Sequence, residues 1–219
     1  MNIIILGPQG SGKGTQAELI AKKLGLFHME TGKMFREISK NNKRIKDMID
    51  NGILVPGEET INYMDKYLTK NHIDFSKITF DGFPRTDDQY LSLREWLKKR
   101  NFSIDKVILL EVSEDESVRR LSARRTCEQC GKLYNLITNP PPNSGFCECG
   151  GKLVQRDDDK TETIKKRLIT YKSETEPLVK LFEEEGILLR VNGERPVNEI
   201  FEEIIAKIKG DDGNVTNTN

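Results

Sequence analysis

The segment GPQGSGKGT, residues 7–15, decides how the rest of this 219-residue sequence is interpreted. It follows a short apolar run that predicts a β-strand, and it precedes a pattern that predicts a helix. Gly7, Gly12 and Lys13 fit the G-x-x-x-x-G-K spacing of a phosphate-binding loop. In such a loop the glycines let backbone N–H groups curl around an anion, and the lysine adds a point charge. The order strand, loop, lysine, helix favours this interpretation over a plain glycine-rich turn.

Short β-branched apolar runs recur along the chain and alternate with amphipathic helical patterns. The runs cover residues 2–6, 78–80, 107–112 and 187–191, with 26–28 as a candidate fifth. Continuous apolar runs of this length are typical of buried parallel strands. The sequence therefore predicts an α/β fold with a doubly wound, five-stranded parallel sheet and ligands at the carboxyl ends of the strands.

Two segments interrupt that alternation. Residues 30–55 are polar and helical in pattern, whereas residues 123–159 contain all four cysteines, three consecutive prolines and an acidic run. We expect both to be inserts in a core made of residues 1–29, 56–122 and 160–219.

The charge balance limits the class of partner. The chain has 35 basic and 35 acidic residues, which argues against a generic nucleic-acid or anionic-membrane surface. The N-terminal apolar run is too short for a signal peptide, and no run approaches the length of a membrane span. We expect a cytoplasmic protein with reduced thiols, in which Cys-x-x-Cys spacing indicates a metal more often than a disulfide.

A second motif, FDGFPRT, begins at residue 80. Asp81 ends an apolar run, the position of a carboxylate that holds Mg²⁺ directly or through its waters, and Pro84 stiffens the loop that presents Arg85. A surface turn with an ion pair is the alternative. The hydroxyl residue that usually follows the loop lysine is replaced by Gly14, and Thr15 comes one position later.

These motifs, with ETGKMFR at residues 30–36, resemble those of adenylate kinases, and the chain is identified as a member of that nucleoside monophosphate kinase family of the long-lid bacterial type. The resemblance implies direct phosphoryl transfer from Mg-ATP to AMP, giving two ADP, in a monomer that binds neither nucleic acid nor membrane. Residues 30–55 would then be the AMP-binding insert and 123–159 the lid over ATP. Two departures are Glu30, where the family usually has Ser, and Lys33, where it usually has Asp.

The resemblance also carries over residue roles. The implied catalytic residues are Lys13, Asp81, Arg85, Arg124, Arg156 and Arg167. The implied ATP-binding residues are Gly10, Ser11, Gly12, Lys13, Gly14, Thr15, Arg120, Arg124, Leu133, Tyr134 and Arg195. The implied AMP-binding residues are Thr31, Arg36, Ile53, Val55, Gly82, Arg85, Gln89, Arg156 and Arg167, with Gln89 reading the adenine.

The cysteines predict a structural Zn²⁺ in the lid. Cys127 and Cys130 form a C-x-x-C pair, and Cys147 is in register with the family's zinc-bearing lids. The next pair is C-x-C, so Cys149 is expected as the fourth ligand, with Glu148 as the fallback. A disulfide and a metal-free lid are the alternatives.

Two other functions compete with this one. A kinase for UMP or CMP is disfavoured by the long lid and Gln89. A nucleic-acid-binding ATPase with a zinc ribbon is disfavoured by the zero net charge and by the lack of interleaved aromatic residues near the cysteines.

Overall fold

The computed structural model describes residues 1–156, 159 and 161–212. The strands are β1 (Ile3–Leu6), β2 (Phe27–Glu30), β3 (Ile78–Asp81), β4 (Lys106–Glu111), β5 (Arg124–Cys127), β6 (Leu133–Asn135), β7 (Leu153–Val154) and β8 (Leu188–Asn192). The helices are α1 (Lys13–Leu24), α2 (Thr31–Ser39), α3 (Lys43–Asp50), α4 (Gly57–Lys70), α5 (Asp87–Lys98), α6 (Glu114–Ser122), α7 (Thr161–Thr170), α8 (Glu176–Glu184) and α9 (Val197–Asp212). A π-helical turn, Tyr171–Thr175, joins α7 to α8.

Five parallel strands form the central sheet in the order β2-β3-β1-β4-β8. The predicted fold class is therefore confirmed, and the observed strands agree with the apolar runs to within about two residues. Strand β1 is buried on both faces, which is why its sequence is apolar at every position.

The sheet is covered by helices on both sides. Ile3 and Ile5 point into a cluster with α1 and α9, whereas Ile4 and Leu6 point into a larger cluster with α4, α5 and α8. Alternation of side chains along β1 thus builds two apolar layers, as a doubly wound fold requires. None of the helices in the described part of the chain is both long enough and apolar enough to span a membrane.

The two predicted inserts contain their own local elements. Residues 30–55 hold α2 and α3, and Ile45 on α3 is fully buried. Residues 123–159 hold an antiparallel sheet in the order β6-β5-β7 with a small buried cluster of Cys127, Tyr134, Cys147 and Leu153. The division into a core and two functional inserts remains a prediction.

Helix α6 begins with half of a capping box, the reciprocal pairing of an N-cap hydroxyl with a glutamate three residues later. The Ser113 hydroxyl accepts a hydrogen bond from the Glu116 backbone N–H. The Glu116 carboxylate does not return the bond in the described contacts, because it accepts from Arg119 and Arg120. These guanidinium groups lower the pKa of Glu116 to about 2.

Candidate active site

A cleft of about 510 Å³ opens at the carboxyl ends of β1 and β3. It is lined by residues 9–16 of the loop and of α1, by the end of β3, and by parts of α6, β6 and α7. Strand order reverses beside β1, which lies between β3 and β4. The cleft therefore occupies the position where open α/β sheets bind ligands.

The loop between β1 and α1 depends on glycine where the chain is crowded. At Gly7 the backbone φ is +142°, and a Cβ there would lie 2.6 Å from the carbonyl oxygen of Leu110. Gly12, with a φ of +91°, is the residue before α1. Glycine at these positions lets the loop turn tightly and directs the N-terminus of α1 toward the cleft.

Lys13 lines the cleft and is held by the loop that precedes it. Its Nζ donates hydrogen bonds to the carbonyl oxygens of Gly7 (2.6 Å) and Pro8 (2.7 Å). Desolvation lowers the pKa of Lys13 to about 7, opposed by the carboxylate of Asp81 and reinforced by the charges of three arginines, Arg85, Arg167 and Arg124. The cleft thus concentrates positive charge in a desolvated space, an arrangement suited to an anionic ligand.

Asp81 places a carboxylate at the end of β3, as predicted. Its Oδ2 lies 3.3 Å from Nε2 of His28, and its backbone carbonyl accepts a hydrogen bond from the hydroxyl of Thr31 at 3.0 Å. A Cβ at Gly14 would lie 3.3 Å from Asp81 Oδ2. This proximity gives a steric reason for glycine after the loop lysine, since a larger side chain would crowd the carboxylate.

Five predicted arginines from separate parts of the chain reach the cleft. The lining includes the predicted Arg36, Arg85, Arg124, Arg156 and Arg167. Arg85 Nε donates to the carbonyl of Gly82 at 2.8 Å, and Arg156 Nε donates to the hydroxyl of Thr126 at 3.0 Å. Planar donors fixed in this way are suited to holding phosphate oxygens.

Asp159 is a site residue that sequence reasoning did not identify. Its carboxylate is fully buried and accepts two hydrogen bonds from Arg124, at 2.7 and 2.5 Å, with Arg167 Nη1 at 3.8 Å. It therefore ties together two predicted catalytic arginines. The acidic run at residues 157–159 was visible in the sequence, but nothing local distinguished this carboxylate from its neighbours.

Comparisons of this sequence with known proteins indicate the same family as the sequence motifs. A family model described as adenylate kinase matches residues 5–187. The adenylate kinase of Archaeoglobus fulgidus is 44% identical over 211 residues, covering 94% of this chain and 97% of that protein. The chain belongs to the adenylate kinase family. The adenylate kinase of Bacillus licheniformis is 41% identical over 217 residues (97% and 100% coverage), and that of Methanothrix thermoacetophila is 43% identical over 209 residues (93% and 96%). As an adenylate kinase family member, the chain is a phosphotransferase of the nucleoside monophosphate kinase type.

The residues implied for ATP all reach the cleft. Its lining contains Gly10, Ser11, Gly12, Lys13, Gly14, Thr15, Arg120, Arg124, Leu133, Tyr134 and Arg195. Arg120 is held by Glu116 (2.6 Å) and by the carbonyl of Gly193 (2.8 Å), and Arg195 pairs with Glu203. The cleft is also lined by residues to which the adenylate kinase resemblance gives no role, among them Gln9, Gln16, Arg119 and Asn135.

The residues implied for AMP divide into two groups. Arg36, Gly82, Arg85, Arg156 and Arg167 line the cleft, whereas Thr31, Ile53, Val55 and Gln89 do not. Ile53 is largely exposed and borders a second cavity of about 440 Å³ between residues 51–54 and α7.

Gln89 is buried and uses its side-chain amide on the backbone. Its Oε1 accepts from the N–H of Arg85 and its Nε2 donates to the carbonyl of Val55, both at 2.7 Å. Its amide therefore links the loop of Arg85 to the loop of Val55.

The four cysteines of residues 123–159 converge. All four Sγ atoms lie within 4.8 Å of one another, with separations of 3.5 Å for Cys127–Cys149 and Cys130–Cys147. A tetrahedral zinc–thiolate site with bonds of about 2.3 Å needs sulfurs about 3.8 Å apart, so this cluster fits Zn²⁺. Glu148 is mostly exposed and its carboxylate accepts a hydrogen bond from Lys132 at 2.6 Å. The cluster therefore contains Cys149 rather than Glu148.

Proposed function

We propose that this cleft catalyses the reversible transfer of a phosphoryl group from Mg-ATP to AMP, giving two ADP. The observation that carries the proposal is the environment of Lys13, whose ammonium group shares a desolvated cleft with Arg85, Arg124 and Arg167. The triphosphate of ATP and the phosphate of AMP bring several negative charges together when they meet, and a cluster of fixed cations stabilises that assembly. Family membership supports the same reaction.

On the donor side, we assign the triphosphate of ATP to the loop between β1 and α1. The backbone of residues 10–15 and the Lys13 ammonium would hold the phosphates, with Arg120, Leu133, Tyr134 and Arg195 around the nucleoside. Arg120 is fixed at both ends of its guanidinium, which supports a role as a rigid surface for the base.

On the acceptor side, we assign the AMP phosphate to Arg36 and Arg85, beside Gly82 and the start of α2. The N-terminus of this nine-residue helix adds positive potential to the guanidinium groups. Thr31, Ile53, Val55 and Gln89 lie next to this region, and we propose that they surround the adenosine moiety after the insert rearranges.

Transfer needs positioning more than it needs a base, because the AMP phosphate is already an anion. Arg124, Arg156 and Arg167 would hold the transferring group in line, and Asp159 would orient Arg124 and Arg167. Asp81 supplies the carboxylate for Mg²⁺, which neutralises charge on the donor phosphates when bound. Closure of the lid would exclude water that competes as acceptor.

A coupled assay for ADP tests the reaction. We expect ADP formation that depends on both ATP and AMP, with no stimulation by DNA or RNA. A preference for UMP or CMP would favour the other monophosphate kinases, and ATP hydrolysis stimulated by nucleic acid without AMP would overturn the proposal. The sequence features and the comparisons favour neither of these alternatives.

We also propose that the protein acts as a monomer in the cytoplasm. The family resemblance implies a monomer, and four thiolate ligands persist in a reducing compartment. Light scattering coupled to gel filtration tests the first point, since it should report about 25.1 kDa. Fractionation of the source cells tests the second.

A further inference from the structure

Glu30 is an acidic residue at the acceptor side of the cleft, near the arginines that we assign to the AMP phosphate. It is the last residue of β2, opposite Asp81 of β3 in the strand register, and it lines the cleft together with Arg36. Its side chain retains 28% of its accessible surface, so it is partly desolvated. A negative charge here faces the space into which an anionic substrate must enter.

The Glu30 carboxylate is directed at an arginine rather than at its own helix. Glu30 precedes α2 as the N-cap residue, yet it makes no side-chain capping hydrogen bond. Its Oε1 instead accepts from Arg36 Nη2 at 2.5 Å. N-cap carboxylates usually accept from the first backbone N–H groups of the helix, so those groups stay available for another anion.

Arg36 is drawn back over the start of its helix by this pairing. Its Nη1 lies 3.1 Å from the position that a Cβ on Gly32 would occupy. The guanidinium therefore lies against the first turn of α2, where the proposed acceptor phosphate would bind. Glu30 and a phosphate would compete for the same donors, and their like charges would repel each other.

We propose that Glu30 determines the affinity for the acceptor nucleotide, by competing with its phosphate group for Arg36. This inference rests on the assignment of Arg36 to the AMP phosphate. Glu30 is here an affinity-determining residue of the acceptor site, and its carboxylate weakens AMP binding while the transfer step is unaffected.

The variant Glu30→Gln keeps the size of the side chain and removes its charge. We expect the Kd for AMP, measured by calorimetry without ATP, to fall about threefold to tenfold, because a partly exposed ion pair and one repulsion are removed. The KM for AMP should fall by a similar factor at nearly unchanged kcat, and the Kd for ATP should not change. The matched control is Glu37→Gln, which removes the same charge from an exposed position on α2 that is paired with Lys40.

A double-variant cycle tests whether the effect acts through Arg36. The gain in AMP affinity from Glu30→Gln should shrink when Arg36→Ala is already present, and circular dichroism should show that each variant is folded. If Glu30→Gln binds AMP as the wild type does, or more weakly, the inference about Glu30 is wrong but the proposed function stands. Weaker binding would mean that Glu30 orients Arg36 for the substrate. A wild-type protein that binds no AMP would overturn both this inference and the proposed function.

Discussion

Replacing Cys149 by serine should release the lid metal, whereas replacing its neighbour Glu148 by glutamine should not. The Sγ of Cys149 lies 3.5 Å from that of Cys127 and 3.4 Å from that of Cys130. The Glu148 carboxylate instead accepts from Lys132 at the surface. The two adjacent substitutions therefore test which side chain completes the metal site.

The magnitude follows from the geometry of the cluster. Three sulfur pairs at 3.4–3.5 Å need to widen by about 0.3–0.4 Å to reach the tetrahedral edge of about 3.8 Å, and all the others lie within 4.8 Å, so Zn²⁺ can be bound after small shifts of the sulfurs. Structural zinc binding contributes about 10–16 kcal/mol from four ligands, or about 3 kcal/mol for each. Since 1.4 kcal/mol corresponds to about a tenfold change, loss of Cys149 should weaken zinc binding about 100-fold or more.

Competition with a chromophoric chelator measures this affinity, and metal analysis should find about one zinc per chain in the wild-type protein. The lid cluster contains few buried side chains, so Cys149→Ser should also lower the temperature at which the lid melts. Zinc affinity within about twofold of wild type in Cys149→Ser, or a large loss in Glu148→Gln, would refute the reasoning.

Four other changes test the remaining assignments. Lys13→Met should cost about 3–4 kcal/mol of transition-state stabilisation. Because the pKa of Lys13 is lowered to about 7, the unfolded wild-type chain binds more protons than the folded one between about pH 7 and 10. The ligand-free wild type should therefore gain stability with rising pH over that window, and Lys13→Met should lose that gain in thermal melts. Gln89→Leu should reduce the preference for AMP in assays with other monophosphates, and loss of its two buried hydrogen bonds should destabilise the fold by about 1–3 kcal/mol in denaturant titrations. A bisubstrate analogue should slow amide hydrogen exchange in residues 123–159, and equal exchange with and without it would argue against a closing lid. Gly151→Ala should weaken zinc binding in the chelator assay, because its Cβ would lie 2.6 Å from Cys127 Sγ.

The sheet was predictable because buried parallel strands are encoded locally. Residues 107–110 are all apolar within the run at 107–112, and the structure has β4 at Lys106–Glu111. The phosphate-binding loop was also predictable from the sequence. Its glycines occur at fixed spacing because the tight turn of the loop leaves no room for larger side chains. Both features depend on residues close to each other in the chain.

The unpredicted features are side-chain pairings across the fold. Asp159 reaches Arg124, which lies 35 positions earlier, and Gln89 reaches the carbonyl of Val55. Glu30 departs from the family pattern, but its contact with Arg36 depends on which rotamer the cleft favours. Such pairings are settled by tertiary packing and leave no periodic signal in the sequence.

The register of the three-stranded sheet β6-β5-β7 separates the arginines from the cysteines. Arg124 begins β5 and Arg156 follows β7 by two residues, while Thr126 of β5 pairs with Val154 of β7. The cysteine cluster lies at the other end of β5, beyond the arginines. We therefore expect residues 123–159 to hold two predicted catalytic arginines at one end of this sheet and the predicted zinc site at the other. Another cross-link of similar stiffness at the cysteines should then leave the positions of the arginines unchanged.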